Sequence, residues 1–281
     1  MSAHVALVTC RALADLEEDD RRLIAPLAAL GVTGVPATWD DRGVEWESFD
    51  AVVLRSTWDY HARIAAFLDW IDGVEARGCR LWNPPAVIRW NSDKRYLHLL
   101  QAAGVATIPT VWGRAGSQID LPGLLSERAW EEVVVKPAVS GGGVRTERVT
   151  AHEAKTFLAT YDLMIQPYMA EIETEGEWSL MYVDGAFSHA VRKRPQPGEF
   201  RIQPQYGGRI SRADPPPHVC AAADAALRCA PGPWLYARVD GLDVGGILQV
   251  MELELIEPRM FLGHDVGAAE RFAAAIAARV S

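Results

Sequence analysis

Apolar residues in the first third of the chain fall into short runs separated by segments of helical period. His4–Cys10 is an apolar, β-prone run. The charged stretch after it reads as a helix to about Leu30, with Gly31 placed to stop it. Ala51–Leu54 is a second short strand. His61–Arg77 then repeats apolar residues at helical spacing through Ile64, Phe67, Leu68 and Ile71, and Gly78 stands at the stop position. Leu81–Asn83 closes the unit before the Pro84-Pro85 break. This βαβαβ rhythm predicts an open α/β layer with ligands near the carboxyl ends of its strands.

Beyond the break the pattern predicts a helix from Ser92, its N-cap, to Ala103, stopped at Gly104. A strand around Thr107–Trp112, a polar connection and the strong strand Val133–Val135 follow. From there to Met169 the chain reads strand, loop, helix, strand. Residues 177–194 read as a hairpin turning at Asp184-Gly185. After Pro215–Pro217 come an alanine-rich helix, strands at Leu235–Val239 and Leu248–Ile256, and a final amphipathic helix, Ala268–Val280. There is no internal repeat and no low-complexity tail.

Composition narrows the function classes. The 281 residues are 49% hydrophobic and 23% charged, enough for one large or two modest globular domains. A net charge of −9 argues against a nucleic-acid partner. The four cysteines form no Cys-x-x-Cys pair and lack matching histidines, so reduced thiols are expected rather than zinc or disulfides. No apolar run spans a bilayer, and no basic leader precedes an apolar stretch, so a cytoplasmic protein without membrane contact is expected. Ten tryptophans supply material for a homodimer interface.

Four segments carry candidate chemistry. Val133–Pro137 places Lys136 at the end of an apolar strand, followed by Ser140, Gly141, Gly142 and Gly143. Three glycines let the backbone approach a ligand and turn N–H groups toward an anion, and a lysine adds a point charge. A plain strand end with a flexible loop has the same look. The loop fits neither the P-loop nor the Rossmann fingerprint. In the 251–255 strand, alternation puts Glu252 and Glu254 on one face, where Asp240 from the preceding strand can join them. Like carboxylates so close repel unless something positive lies between them, and a hard cation such as Mg²⁺ would neutralise them; an amphipathic strand with a wet face alternates in the same way. Between Ser188 and Arg212, Arg192, Lys193, Arg194, Arg201, Arg209 and Arg212 stand against the lone Glu199. They flank the hairpin and the Tyr206-Gly207-Gly208 turn, either as a solvated face or converging on phosphate or carboxylate. Finally, Arg55, Ser56, Thr57, Trp58 and Asp59 follow the buried strand Ala51–Leu54, where polar and aromatic groups line ligand crevices. A helix start capped by Asp59, with Trp58 packed, accounts for part of that cluster.

Taken in order, these segments resemble the ATP-grasp superfamily, especially its glutathione-synthetase-like members, from about Pro84 to the C-terminus and more loosely upstream. Asn91-Ser92-Asp93-Lys94 resembles the helix start that brings the first nucleotide lysine. Val135-Lys136-Pro137 resembles the second lysine, followed by the glycine-rich phosphate lid. Gln166, Pro167, Tyr168 and Met169 resemble the hinge that meets adenine, and Glu177 the acid on the ribose. Lys193 and Arg201 match basic positions near the transferred phosphate and substrate, and Asp240, Glu252 and Glu254 match magnesium ligands. Many relatives have Glu-x-Asn where this chain has Glu252-Leu253-Glu254, which leaves open whether Glu254 touches the metal.

The resemblance implies an α/β fold with an N-terminal open α/β pre-ATP-grasp domain over residues 1–88 and an ATP-grasp domain over 89–281. The latter divides into a small lid subdomain at about 106–168 and a C-terminal subdomain at about 169–281. It implies an enzyme using ATP and Mg²⁺ to phosphorylate a small amino-acid-like carboxylate, with a nitrogen nucleophile capturing the acyl phosphate. Ser56–Tyr60, Trp90–Leu97, Ser188–Lys193 and Glu252–Pro258 sharpen the likeness to a subgroup that includes a cycloserine-forming cyclo-ligase, which closes O-ureido-D-serine. Two alternatives stay open: a separate amine giving a peptide-like product, and an ATP-binding sensor without catalysis.

Overall fold

The computed structural model describes residues 2–196, 199, 202 and 207–280. The first apolar run forms β1 (Ala3–Thr9). The charged stretch after it is not one helix. It holds a 3₁₀ turn and two short helices, α1 (Glu18–Arg21) and α2 (Ile24–Ala29), because its acids turn inward to fixed partners. Asp20 meets Arg55, and Asp19 accepts the amides of Leu262 and Gly263. Next comes β2 (Val32–Thr38), which the apolar pattern does not announce, since Gly34 and Pro36 interrupt its alternation. It is an edge strand, where a missing proline N–H costs little. Then follow β3 (Ala51–Ser56), α3 (Ile64–Ala76) and β4 (Leu81–Trp82). The four strands are parallel in the order β2-β1-β3-β4. The chain leaves β1 toward opposite sides, and the crevice of such a sheet opens at the carboxyl ends of β1 and β3.

Pro85 opens a helix rather than breaking one. It stands at the start of α4 (Pro85–Asn91), where its missing N–H is no loss. Ser92 therefore closes α4 instead of capping a new helix. Asp93 accepts the Arg95 amide and starts a turn into α5 (Leu97–Ala102), with Gly104 in left-handed conformation after its end. A second sheet is built from β5 (Val111–Gly113), β7 (Glu132–Pro137), β8 (Glu147–Thr150) and β10 (Leu163–Pro167), in the order β5-β10-β7-β8. Between these lie β6 (Gln118–Asp120), α6 (Leu121–Arg128) and β9 (Thr156–Leu158), with β6 paired to β9. The helix expected between the glycine loop and Met169 is thus β8 and β9. The strand expected from Thr107 is confined to β5, Thr107 making only a bridge to Val250.

The third sheet follows α7 (Glu171–Thr174). It contains β11 (Glu177–Val183), β12 (Ala186–Arg194), β13 (Arg209–Arg212) and, after α8 (Pro217–Leu227), β14 (Tyr236–Val244) and β15 (Ile247–Glu254). Its antiparallel order is β13-β12-β11-β14-β15. Asp184 and Gly185, both at positive φ, make the hairpin turn between β11 and β12. The last helix, α9 (Ala268–Ala277), lies between α2 and the third sheet. Its Phe272 and Ile276 share one core with Val5, Leu7, Leu27, Met181 and Tyr236. All four cysteines are free thiols, and no helix among the described residues is long and apolar enough to cross a membrane.

Arg55 belongs to this core and not to a ligand crevice. It is fully buried, donates to Asp20 at 2.9 Å and to the Pro258 carbonyl at 2.7 Å, and lies over the rings of Tyr236 and Phe272. Ser56 donates to the other Asp20 oxygen at 2.5 Å, and Thr57 is fully buried beside them. All of β3 is covered on both faces, so its polar end points into protein. Arg55→Met should leave Asp20 charged with the Ser56 hydroxyl but no cation, costing about 3–5 kcal/mol in urea unfolding, and adding Asp20→Asn should restore part of it. A loss under about 1 kcal/mol in the single variant would show that the pair does not hold the two parts of the chain together.

Candidate active site

The register of the third sheet assembles a charged floor. Across β14 and β15, Asp240 faces Glu252 and Arg238 faces Glu254; across β11 and β12, Glu177 faces Lys193; Ser179 on β11 faces Asp240. Side chains two apart share a face, so these groups meet above one patch of sheet. Arg238 donates to both Asp240 oxygens, at 3.0 Å to Oδ1 and 2.8 Å to Oδ2, and also to Glu254. Lys193 pairs with Glu177 and stands 3.4 Å from Asp240, which also accepts from the Ser179 hydroxyl. Lys94 reaches in from the turn after α4, 3.0 Å from Glu252 and 2.7 Å from the Ser140 carbonyl. The side chain of Lys136, at the end of β7, has no ion pair or hydrogen bond among the described residues.

These environments split the charges. Burial pushes Asp240 up, but Arg238, Lys193 and the Ser179 hydroxyl outweigh it and hold the carboxyl at about 2. Burial also dominates at Glu254, where Glu252 and Asp240 add repulsion that Arg238 does not cancel, and the carboxyl rises to about 7. Burial likewise lifts Glu177 to about 7 against the pull of Lys193. Burial draws Lys193 down, yet Asp240 and Glu177 keep it above its ordinary value. Lys136 has no such partner, and burial leaves it below.

Over this floor lies a cavity of about 420 Å³. One wall is apolar: Ile108, Val134, Pro167, Met169, Ile172, Leu242 and Met251, with Tyr168 whose hydroxyl bonds Glu173. Gln166 lines this wall but its amide turns to Thr110 at 2.8 Å. The glycine loop closes another side. Gly142 and Gly143 adopt left-handed φ of 61° and 73°, and a Cβ on Gly141 would come within 3.2 Å of His61.

Most of the residues singled out in the sequence meet here: Trp58, Lys94, Lys136, Ser140 to Gly143, Gln166 to Met169, Glu177, Lys193, Asp240, Glu252 and Glu254. Arg55, Ser56 and Thr57 do not, being sealed in the core behind. Asp59 does not cap by its side chain; it accepts from Trp39 at 2.8 Å and from Arg63, away from the cavity. Gly207 and Gly208 pack against Gln196 and Ile202 instead of lining the cavity. Arg201 and Tyr206 lie outside the described residues. The three carboxylates do not close into a metal cage: among the described residues no three His, Cys, Asp or Glu side chains form one, because Arg238 lies between Asp240 and Glu254. Among the lining groups not foreseen are Arg238, His61, Glu257 and Arg259. Arg238 was legible, two residues before Asp240 on the same strand; His61 and Glu257 meet only through the fold.

A carboxyl raised to about 7 by burial contributes stability that is complete below its ordinary value of 4.5 and lost as pH rises through about 7. The melting temperature of the ligand-free protein should therefore fall between about pH 4.5 and pH 7, and Glu254→Gln should flatten part of that fall. A melting temperature that rises through this window would mean that Arg238, not burial, governs Glu254.

Comparison with known proteins places this geometry. Residues 5–83 match the family model for the N-terminal domain of D-cycloserine synthetase DcsG. The whole chain is similar to the cycloserine biosynthesis protein DcsG of Streptomyces lavendulae, 34% identical over 297 residues and covering 98% of each. The crystal structure of D-cycloserine synthetase DcsG aligns with a TM-score of 0.87 at 29% identity, over 99% of this chain and 100% of that one. The D-alanine–D-alanine ligase of Bacillus anthracis, solved in complex with ATP, shares the fold at a TM-score of 0.72 and 16% identity, over 100% of this chain and 97% of that one. At this identity over its full length, the chain belongs to the DcsG family of ATP-grasp ligases and is an ATP-dependent ligase.

Proposed function

We propose that this ligase closes O-ureido-D-serine into D-cycloserine, activating the substrate carboxylate as an acyl phosphate that a nitrogen of the same molecule captures. The observation that carries this choice of substrate is the full-length likeness to DcsG, which includes the N-terminal sheet as well as the two sheets around the cavity. ATP supplies the phosphoryl group when bound, and Mg²⁺ neutralises its phosphates.

The residues divide the work. The apolar wall from Val134 to Met251 takes adenine, and Glu177, paired to Lys193 through one oxygen, offers the other to the ribose. Lys94, Lys136 and the N–H groups of the glycine loop hold phosphate oxygens. Lys136 is suited to a polyanion because no carboxylate among the described residues occupies it. Mg²⁺ takes one or two carboxylates and fills its shell with water and phosphate. Asp240 and Glu252, opposite each other with hard oxygen donors, fit that demand, while Glu254 stays with Arg238. Arg238 and Lys193 offset the charge that builds as the substrate carboxylate meets phosphorus, with Arg201 as a further basic group. The glycine loop keeps water from the acyl phosphate. Because the nucleophile is tethered to the carbonyl it attacks, proximity supplies much of the ring-closing rate; water then removes the carbamoyl group, as the formulae of substrate and product require.

With O-ureido-D-serine, ADP release should accompany a product of the cyclic mass; a product that incorporates an added amine would overturn the intramolecular reading. Lys136→Ala should lower ADP release by about 100-fold or more while the melting curve stays in place. Glu252→Gln should move the magnesium titration of activity to higher concentration, and an unchanged titration would remove Glu252 from the metal site.

A further inference from the structure

Beyond the apolar wall and the charged floor, the cavity has a third side, where the carboxyl end of β3 meets the chain just past β15. Trp58 and His61 come from the first, Glu257 and Arg259 from the second. The Trp58 indole donates to the Glu257 carbonyl at 3.1 Å, with the Arg259 guanidinium 5.2 Å from its ring centre, so the loop carrying Glu257 is tied to β3. The nearby cations are taken. Arg259 pairs with Glu17 at 2.5 Å, Lys94 with Glu252 and Ser140, and Arg238 with Asp240 and Glu254. The Glu257 carboxylate has neither ion pair nor hydrogen bond among the described residues. Its Oε1 lies 3.9 Å from a Cβ position on Gly141, so it stands against the phosphate loop.

A half-buried carboxylate on a cavity wall, left without a cation, is costly. Burial, with Glu254 next, pushes this one well above its ordinary range. The neighbouring histidine adds no positive charge: burial and then Lys94 hold His61 below its ordinary value. The missing partner is thus a cation that arrives with the ligand. We propose that Glu257 anchors the ammonium group of the amino-acid substrate, between Trp58 and His61, with the substrate carboxylate turned toward Arg238 and Lys193. In an α-amino acid both groups leave one carbon, so the anchor has to lie beside the carboxylate site; the charges of Glu254, Lys94, Glu252 and Arg238 all act on Glu257. This rests on the carboxylate-activating reading and deepens it, by naming the contact that selects amino acids over simple acids.

Glu257→Gln keeps size and shape and removes the charge. With O-ureido-D-serine it should raise KM for the amino acid about 10-fold or more while KM for ATP moves less than about twofold. The desamino analogue, 3-(ureidooxy)propanoate, should serve both proteins equally poorly, and Glu257→Asp should fall between wild type and Gln. An unchanged KM for the amino acid overturns the inference. So does a fall in kcat alone, which marks a proton-transferring group, or a parallel rise in KM for ATP, which marks a nucleotide contact. Should the Gln variant not fold, equal KM values for the two substrates on wild type overturn it. If wild type does not turn over O-ureido-D-serine, the cyclising reading fails by itself. Calorimetry of D-serine against 3-hydroxypropionate with Mg-ADP then tests the anchor, and equal affinities overturn it.

Discussion

Past Val250, which the backbone of Ala106 and Ile108 meets, the outer edge of β15 is held by side chains, and the site depends on it. Asn91 donates to the Leu253 carbonyl and accepts the Leu255 amide, at 2.8 and 2.7 Å. The Tyr96 hydroxyl spans the Leu253 carbonyl and amide at 2.9 and 2.8 Å. Asn83 bridges onward to Leu235, Tyr236 and Leu255. Unpaired backbone groups buried at this edge would each cost free energy comparable to a lost hydrogen bond. Satisfying them from α4 and from the chain on either side of it also locks Glu252 and Glu254 to the cavity floor.

The same scaffold sets the electrostatics. Asp240 and Glu254 are two neighbours of one guanidinium, yet one is held at about 2 and the other rises to about 7. The difference is in the number of donors. Asp240 collects Arg238, Lys193 and a serine hydroxyl, whereas Glu254 has Arg238 and two repelling carboxylates. In the ligand-free protein the cations of the floor are thus spent on its carboxylates, and Lys136 stands apart from that exchange. On the proposed reading, a phosphate-bearing ligand would meet a site already stocked with positive charge, and a divalent cation would take over the carboxylates it releases.

The N-terminal sheet and the large antiparallel sheet share α9, so one core runs through both. Arg55, Asp20 and the Asp19 contacts to Leu262 and Gly263 fasten the same joint with polar groups. The third side of the cavity lies at this joint, which brings the end of β3 against the chain past β15.

The sequence by itself determined the ingredients that depend on neighbours in the chain. Alternation put Glu252 and Glu254 on one face, a strand followed by glycines marked Lys136 and its loop, and Asp184-Gly185 marked the hairpin. Each is a local property, set by backbone period or by the conformational freedom of glycine. Locality also explains the misses. Pro36 and Gly34 hid β2, whose place is secured by β1; Pro85 read as a break because its helix is anchored by contacts far along the chain. Arg55 read as a ligand group since nothing near it in sequence reveals Asp20 or the Pro258 carbonyl. Only the tertiary structure decided that Arg238 would bridge Asp240 and Glu254, and that His61 and Glu257 would both stand against Gly141 of the glycine loop. Those meetings join segments distant in sequence, and their energy comes from burial and charge pairing that exist only once the sheets have packed.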